Sequence, residues 1–404
     1  MSTSKDLESK ECNPFSTSKF LKDVFMCSLV AFGGPEAHLG VFLDRMVQKK
    51  KYLSEKALLE WMALCSFLPG PTSTQVITAI GLEKGGRMLA LLTLIIWAFP
   101  AICVMSLIAL LPMWLNDYNF SSFTGFLAPM ATAFVALAAW VLGKKVITNF
   151  QHFILWSFGL AIPLFSTAPW IIPIAFVVSG LLSSAFSVKI DDKDISKGKN
   201  FSIPWAMLTI FSGLLVFSVF ATQVSGNSLI QTFERFFRYG YLVFGGGQVV
   251  VPLMQNELVN STKLMTQQEF LSGFGIVQSM PGPMFSFAAY ASGLSEKSGG
   301  LTNQILGSLI GGWSIFLPGT LLLFIVYPFW EKLKAITWTQ HALTGINSTA
   351  AGLVAGIFIQ ISLCMEWAYE ESLIFLLSIF LLISAKIPSP FILVIVGFAY
   401  WLVA

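Results

Sequence analysis

Long apolar runs broken by short glycine- and proline-rich stretches set the pattern of this chain. Met88–Asn116 and Ser298–Trp330 contain no charged side chain, and a bilayer-spanning helix needs about 20 predominantly apolar residues. The runs therefore predict membrane-spanning helices. The breaks are Gly33-Gly34-Pro35, Pro69-Gly70-Pro71, Gly245-Gly246-Gly247 and Pro281-Gly282-Pro283. Proline lacks a donor and restricts the residue before it, and glycine admits dihedrals that other residues avoid. The pattern predicts half-helices over 56–67 and 72–81, and over 266–279 and 284–293, each pair meeting at a Pro-Gly-Pro turn. Similar turns are expected at the two glycine breaks. Non-helical backbone at membrane depth survives only where protein or water covers it. A single break is ordinarily a packing kink; four in matched positions point to a site.

The matching is internal. At an offset of 212, residues 32–82 align with 244–294 without a gap, and 12 of the 51 columns are identical. Phe32-Gly33-Gly34 pairs with Phe244-Gly245-Gly246, and Pro69-Gly70-Pro71 with Pro281-Gly282-Pro283. Beyond this block, Pro100 pairs with Pro318 if six residues are inserted. The predicted organisation is a first repeat over 1–190, a polar inter-repeat loop over 191–202, an extra linking transmembrane helix over 203–223, and a second repeat over 224–404. Lysine and arginine in short loops favour the cytoplasmic side. The loop 113–122 has neither, whereas 331–338 has Lys332 and Lys334; Lys144 and Lys145 face an acidic counterpart at Glu366, Glu370 and Glu371. This reversal predicts inverted repeats. The fold class expected is an all-α polytopic membrane protein with two homologous, inverted repeats and broken half-helices.

Composition agrees: 55% of the 404 residues are hydrophobic and 11% charged, where a soluble domain carries about a quarter charged residues. The N-terminal 12 residues show no cleavable signal pattern. Five scattered cysteines and three isolated histidines give no metal cluster and no disulfide framework. There is no phosphate-binding loop, cofactor motif or nucleophile–base pair, and a net charge of +3 without a basic block gives no nucleic-acid signal. No cofactor, metal or nucleic-acid partner is expected, and an enzyme is disfavoured.

The chemistry expected lies after Pro71. A helix starting there leaves N–H groups without intrahelical partners and carries partial positive charge, a ready anion site. Thr72, Ser73, Thr74 and Gln75 add uncharged donors. Met284, Phe285, Ser286 and Phe287 occupy the equivalent place in the second repeat, which is far more apolar.

At these residues the sequence resembles the chromate ion transporter family in its long, two-repeat form. The motifs are FGGPEAH, LPGPTSTQ and AIG in the first half, and FGGGQVVVPL, QEFLSGFG, QSMPGP and FSFAAYASG in the second. FLPG at 316–319, YPFW at 327–330 and ALTGINSTAAGL at 342–353 extend the match. The resemblance implies an inner-membrane carrier that exports chromate, a sulfate-like dianion, in exchange for protons. It departs from the family pattern at Ser66, where Gln is frequent, at Leu264, near which a Trp is usual, and at WAFPA (97–101); Gln278 is kept. Sulfate or another oxyanion is the alternative cargo, and a passive anion channel the alternative mechanism. The lipid bilayer is the obligatory surrounding, and a homodimer is left open.

The substrate-site candidates are thus Gly33, Gly34, Pro35, Pro69–Gln75, Gly245, Gly246, Gly247, Gln278, Pro281, Gly282, Pro283 and Ser286. The proton-coupling candidates are Glu36, His38, Glu60 and Glu269, since ionisable groups in apolar segments are expensive. Interfacial snorkelling is the alternative for Glu60 and Glu269, and capping or packing for His38. Arg45, Lys49, Lys50 and Lys51 read as a cytoplasmic basic face that also steers anions. Arg235 and Arg238 have no role legible in the sequence.

Overall fold

Helix is the only regular structure among the residues the computed structural model describes, which are 15–32, 34–114, 125–166, 171–186, 204–224, 226–244, 249–330, 337–365, 367–384 and 387–403. The first repeat opens with α1 (Thr17–Val30), α2 (Gly34–Phe42) with a π-helical extension Leu43–Lys49, α3 (Glu55–Phe67) and α4 (Thr72–Trp114). After these come α5 (Leu127–Val146), α6 (Phe150–Phe165), α7 (Ile171–Phe186) and the linking α8 (Trp205–Val224). The second repeat begins with α9 (Ser228–Leu242), α10 (Val250–Met254) with its own π-helical extension Gln255–Ser261, and α11 (Gln267–Ser279). It continues with α12 (Phe287–Ser295), α13 (Gly300–Ser314), α14 (Leu317–Val326), α15 (Thr337–Cys364), α16 (Tyr369–Ile383) and α17 (Ser389–Val403).

The 212-residue offset recurs in the backbone. The two π-helical extensions match residue for residue, as do α3 and α11. Lys51 (φ 52°) and Lys263 (φ 51°) turn the chain in the same left-handed way, and Gly70 (φ 116°) and Gly282 (φ 108°) do so at the Pro-Gly-Pro turns. Ser54 and Thr266 cap α3 and α11 by accepting the N–H three residues on, the bond that satisfies one of the donors a helix start orphans.

The half-helices form where the breaks predict them, with one difference. The segment after Pro71 is helical as far as Lys84; the backbone leaves helical geometry at Gly85 and Gly86 (φ 69°), a conformation glycine tolerates, and α4 resumes beyond them to Trp114. The segment after Pro283 starts as a single 3₁₀ turn, Met284–Ser286, before α12. Pro100 lies within α4 without a break, whereas its proposed counterpart Pro318 opens α14. The loops 113–122 and 331–338 fall, apart from their ends, outside the described residues, and 191–202 falls wholly outside them. Lys144 and Lys145 occupy the last turn of α5 and Glu370 and Glu371 the first turn of α16, where each sign suits the helix dipole.

Among the described residues, four segments are long and apolar enough to cross a bilayer: Thr72–Leu111, Leu127–Val146, Lys297–Phe329 and Gln340–Cys364. The repeats interlock. The second repeat's α15 lies along α5, α6 and α7 of the first; Gly352 meets the Trp156 carbonyl and Gly356 that of Leu160, small residues admitting close helix approach. The two Pro-Gly-Pro turns are joined to the opposite repeat by a reciprocal pair of hydrogen bonds. Gly70 N–H donates to the Val243 carbonyl at 2.7 Å, and Gly282 N–H to the Ala31 carbonyl at 2.9 Å. Ala31 and Val243 are themselves 212 residues apart (243 − 31).

Arg235 and Arg238 acquire partners. Arg238 donates to Glu257 (2.8 and 3.0 Å) and Glu234 (2.6 Å), and Arg235 to Glu257 (3.2 Å). The first repeat places Asp23 and Arg45 at the positions of Arg235 and Glu257, bonded at 2.7 and 3.0 Å. The same two sites carry an ion pair in each repeat, with the charges exchanged. Asp23 also accepts from Tyr52 (2.7 Å) and pairs with Lys50 (3.6 Å), and Lys49 pairs with Asp44 (2.7 Å). Three of the four residues of the basic face are therefore engaged locally.

Candidate functional site

The helical ladder of α4 begins with Gln75 N–H donating to the Pro71 carbonyl at 2.9 Å, so the N–H groups of Thr72, Ser73 and Thr74 point out of the helix end. They open onto a small cleft lined by His38, Pro71, Thr72, Ser73, Thr74, Pro283, Met284 and Phe285. Two Pro-Gly-Pro turns from different repeats thus face one space. Its polar groups come from the first repeat and its apolar wall from the second. Among the described residues, none that lines the cleft is acidic, Lys or Arg.

Two of the three hydroxyls are held by an outer neighbour. His38 Nδ1 lies 2.9 Å from Ser73 Oγ. Trp97 Nε1–H donates to Thr74 Oγ1 at 3.1 Å. The indole also meets the His38 ring edge-on at 5.4 Å and packs on Phe42 at 5.3 Å, and Trp97 is fully buried. Because Thr74 Oγ1 accepts from Trp97, its own proton remains available to an occupant. Gln75 stands behind the turn: its amide donates to the carbonyls of Pro69 (2.9 Å) and Gly319 (3.0 Å). It braces the loop against α14 and does not line the cleft. Gly70 fits there because its φ is positive and a Cβ would meet Gly319 Cα at 3.1 Å.

The other sequence candidates fall into distinct places. Ser286 is buried and spends its hydroxyl proton on the Pro283 carbonyl at 2.7 Å. Gln278 is buried, Pro281 half-buried, and neither lines the cleft. Gly34 starts α2 with φ 82°. Gly33 and Gly245–Gly247 lie outside the described residues, as do the side chains of Pro35 and Glu36. Glu60 is exposed on α3. Glu269 completes a capping box with Thr266 and pairs with Lys297 at 2.8 Å, a Thr-x-x-Glu pattern the sequence carried openly. Of the three ionisable candidates with described side chains, His38 lines the cleft and Glu60 and Glu269 do not. Trp97 opens the WAFPA stretch, which the sequence marks only as a departure from the family pattern; its link to Thr74 spans 23 residues.

A sequence model of the family described as "Chromate transporter" matches residues 18–183 and 230–401, one segment in each repeat. A probable chromate transport protein of Synechococcus elongatus is 24% identical over 95% of this chain and 93% of its own length. The chromate transport protein of Pseudomonas aeruginosa is 23% identical over 84% of this chain and 79% of its own. An uncharacterized transporter of Bacillus subtilis is 24% identical over 39% of this chain but 92% of its own length, so a single repeat also occurs as a separate chain. No solved structure matches significantly.

Proposed function

The chain belongs to the chromate transporter family, and from that premise we propose that it carries chromate through the cell's inner membrane, outward and coupled to the proton gradient. The observation that carries this reading is the cleft itself. The positive end of the helix that starts at Thr72 and three hydroxyl residues meet an apolar wall at the junction of two repeats. Such a junction is where repeat-built carriers bind substrate. Neutral donors and a helix end stabilise a tetrahedral dianion without fixing a counter-charge that would trap it. Sulfate shares the shape and charge of chromate and is the competing cargo. Radiolabelled chromate, sulfate and molybdate offered to inside-out vesicles test the reading. Chromate should accumulate above its equilibrium level only while a gradient is imposed; simple equilibration would mean a channel.

Hydrogen bonds to a charged partner contribute about 1.5–3 kcal/mol each. Ser73→Ala should therefore raise the apparent chromate constant by roughly ten- to a hundred-fold. Ser286→Ala should change it little, since that hydroxyl is committed to Pro283. Equal effects in transport titrations of the two variants would rule out the asymmetric site.

The repeats are inverted in this reading, with α8 supplying the change of side. Single cysteines at Asn116 and Ala335, treated with an impermeant thiol reagent in sealed cells, should label from opposite faces of the membrane. Labelling of both from one face would rule inversion out.

A further inference from the structure

His38 is 1% exposed, and its Nε2 has no hydrogen-bond partner among the described residues. The Ala31 carbonyl lies beside the ring; it receives the Gly282 N–H at 2.9 Å and keeps a second lone pair for a ring N–H. What faces the imidazole is Ser73, Thr74 and Trp97 of α4 and the apolar Met284 and Phe285 across the cleft. Among the described side chains, the titratable groups of the neighbouring elements are occupied elsewhere or uncharged; that of Glu36, on the same helix, lies outside them. Asp23 of α1 is paired with Arg45, Asp44 with Lys49 on the π-helical extension, and Cys27 of α1 is a buried thiol.

A neutral imidazole with its proton on Nε2 accepts the Ser73 hydroxyl proton at Nδ1, which leaves Ser73 nothing to donate into the cleft. A protonated imidazole has no lone pair, so Nδ1–H must donate to Ser73 Oγ and the hydroxyl proton is free to turn outward. A lone imidazolium in this cleft would be a buried, unpaired charge, which is costly. A dianion entering the cleft supplies the missing counter-charge.

Resting on the anion-site reading above, we propose that His38 and Ser73 form a proton-linked donor switch. As the dianion enters, His38 takes up one proton from the aqueous phase, and the Ser73 hydroxyl turns from the ring to the anion. No bond other than N–H changes. The linkage is reciprocal: the proton strengthens anion binding and the anion strengthens proton binding. That sign is co-transport at this residue and not exchange. A dianion leaving with one proton keeps one net negative charge, so the coupling of export to the proton gradient runs through its electrical part, inside negative, which drives exit against the opposing pH difference.

Calorimetry of chromate binding to the purified full-length protein, in two buffers of unlike ionisation enthalpy and above neutrality where free chromate is the dianion, counts the protons exchanged. The wild type should take up close to one proton per chromate and bind more tightly as the pH falls. His38→Gln, whose amide can donate to Ser73 permanently, should bind with no uptake and a flat pH profile. Ser73→Ala should bind roughly tenfold or more weakly with the uptake reduced. Chromate binding by the wild type with no proton uptake, or with proton release, overturns the switch alone. Uptake retained in His38→Gln does the same. Absence of saturable chromate binding by the wild type overturns the anion site and the switch with it.

Discussion

Replacing Pro69, Gly70 and Pro71 with alanines should give a protein that enters the membrane normally and moves no chromate. Alanines let α3 run on toward α4 and consume the N–H groups that Thr72, Ser73 and Thr74 present to the cleft. Three charge-assisted bonds at about 1.5 kcal/mol each sum to about 4.5 kcal/mol, a loss of roughly a thousandfold in binding. The change also places side chains where Gly70 (φ 116°) and Gly319 leave no room. Size-exclusion of a fluorescent fusion would report insertion, and vesicle uptake the transport. Wild-type uptake by this variant would remove the half-helix mechanism.

Glu257→Ala should be the most damaging single substitution for stability. Its carboxylate is 6% exposed and accepts from both Arg235 and Arg238. Breaking a buried ion pair by removing one partner typically costs about 3–5 kcal/mol, because the remaining charge stays buried. Arg238 would retain Glu234, but Arg235 would keep no carboxylate partner among the described residues. Glu234→Ala should cost less, since Arg238 keeps Glu257. Thermal or denaturant unfolding of the purified variants should rank them in that order, and equal midpoints would contradict the role assigned to Glu257.

The breaks were legible because Gly and Pro requirements are local: a positive φ or a missing donor is written in the residue itself. The alternation of half-helices and the division into two repeats followed from them. The ion pairs were not legible by the same route. An identity comparison scores Asp23 against Arg235, and Arg45 against Glu257, as two mismatches. Only reading the two columns together shows that each repeat keeps one acid and one base, exchanged. The Glu269 cap was written locally in Thr-x-x-Glu, yet burial in an apolar segment made it look like a coupling group. The contacts of His38 with Ser73, 35 residues on, and of Gln75 with Gly319, 244 residues on, depend on how helices pack, which no short pattern encodes. The end of the half-helix after Pro71 was legible to within a few residues, Gly85-Gly86, where α4 leaves helical geometry, lying just beyond the aligned block.

The crossed hydrogen bonds at Gly70 and Gly282 make the boundary between the repeats a boundary of sequence and not of folding. Each Pro-Gly-Pro turn finds its carbonyl only in the other half, so either half alone would hold an amide in an apolar interior with nothing to receive it. The halves are complementary fragments of one cooperative body. A chain severed between them would still have to reassemble as a matched pair before either turn was complete.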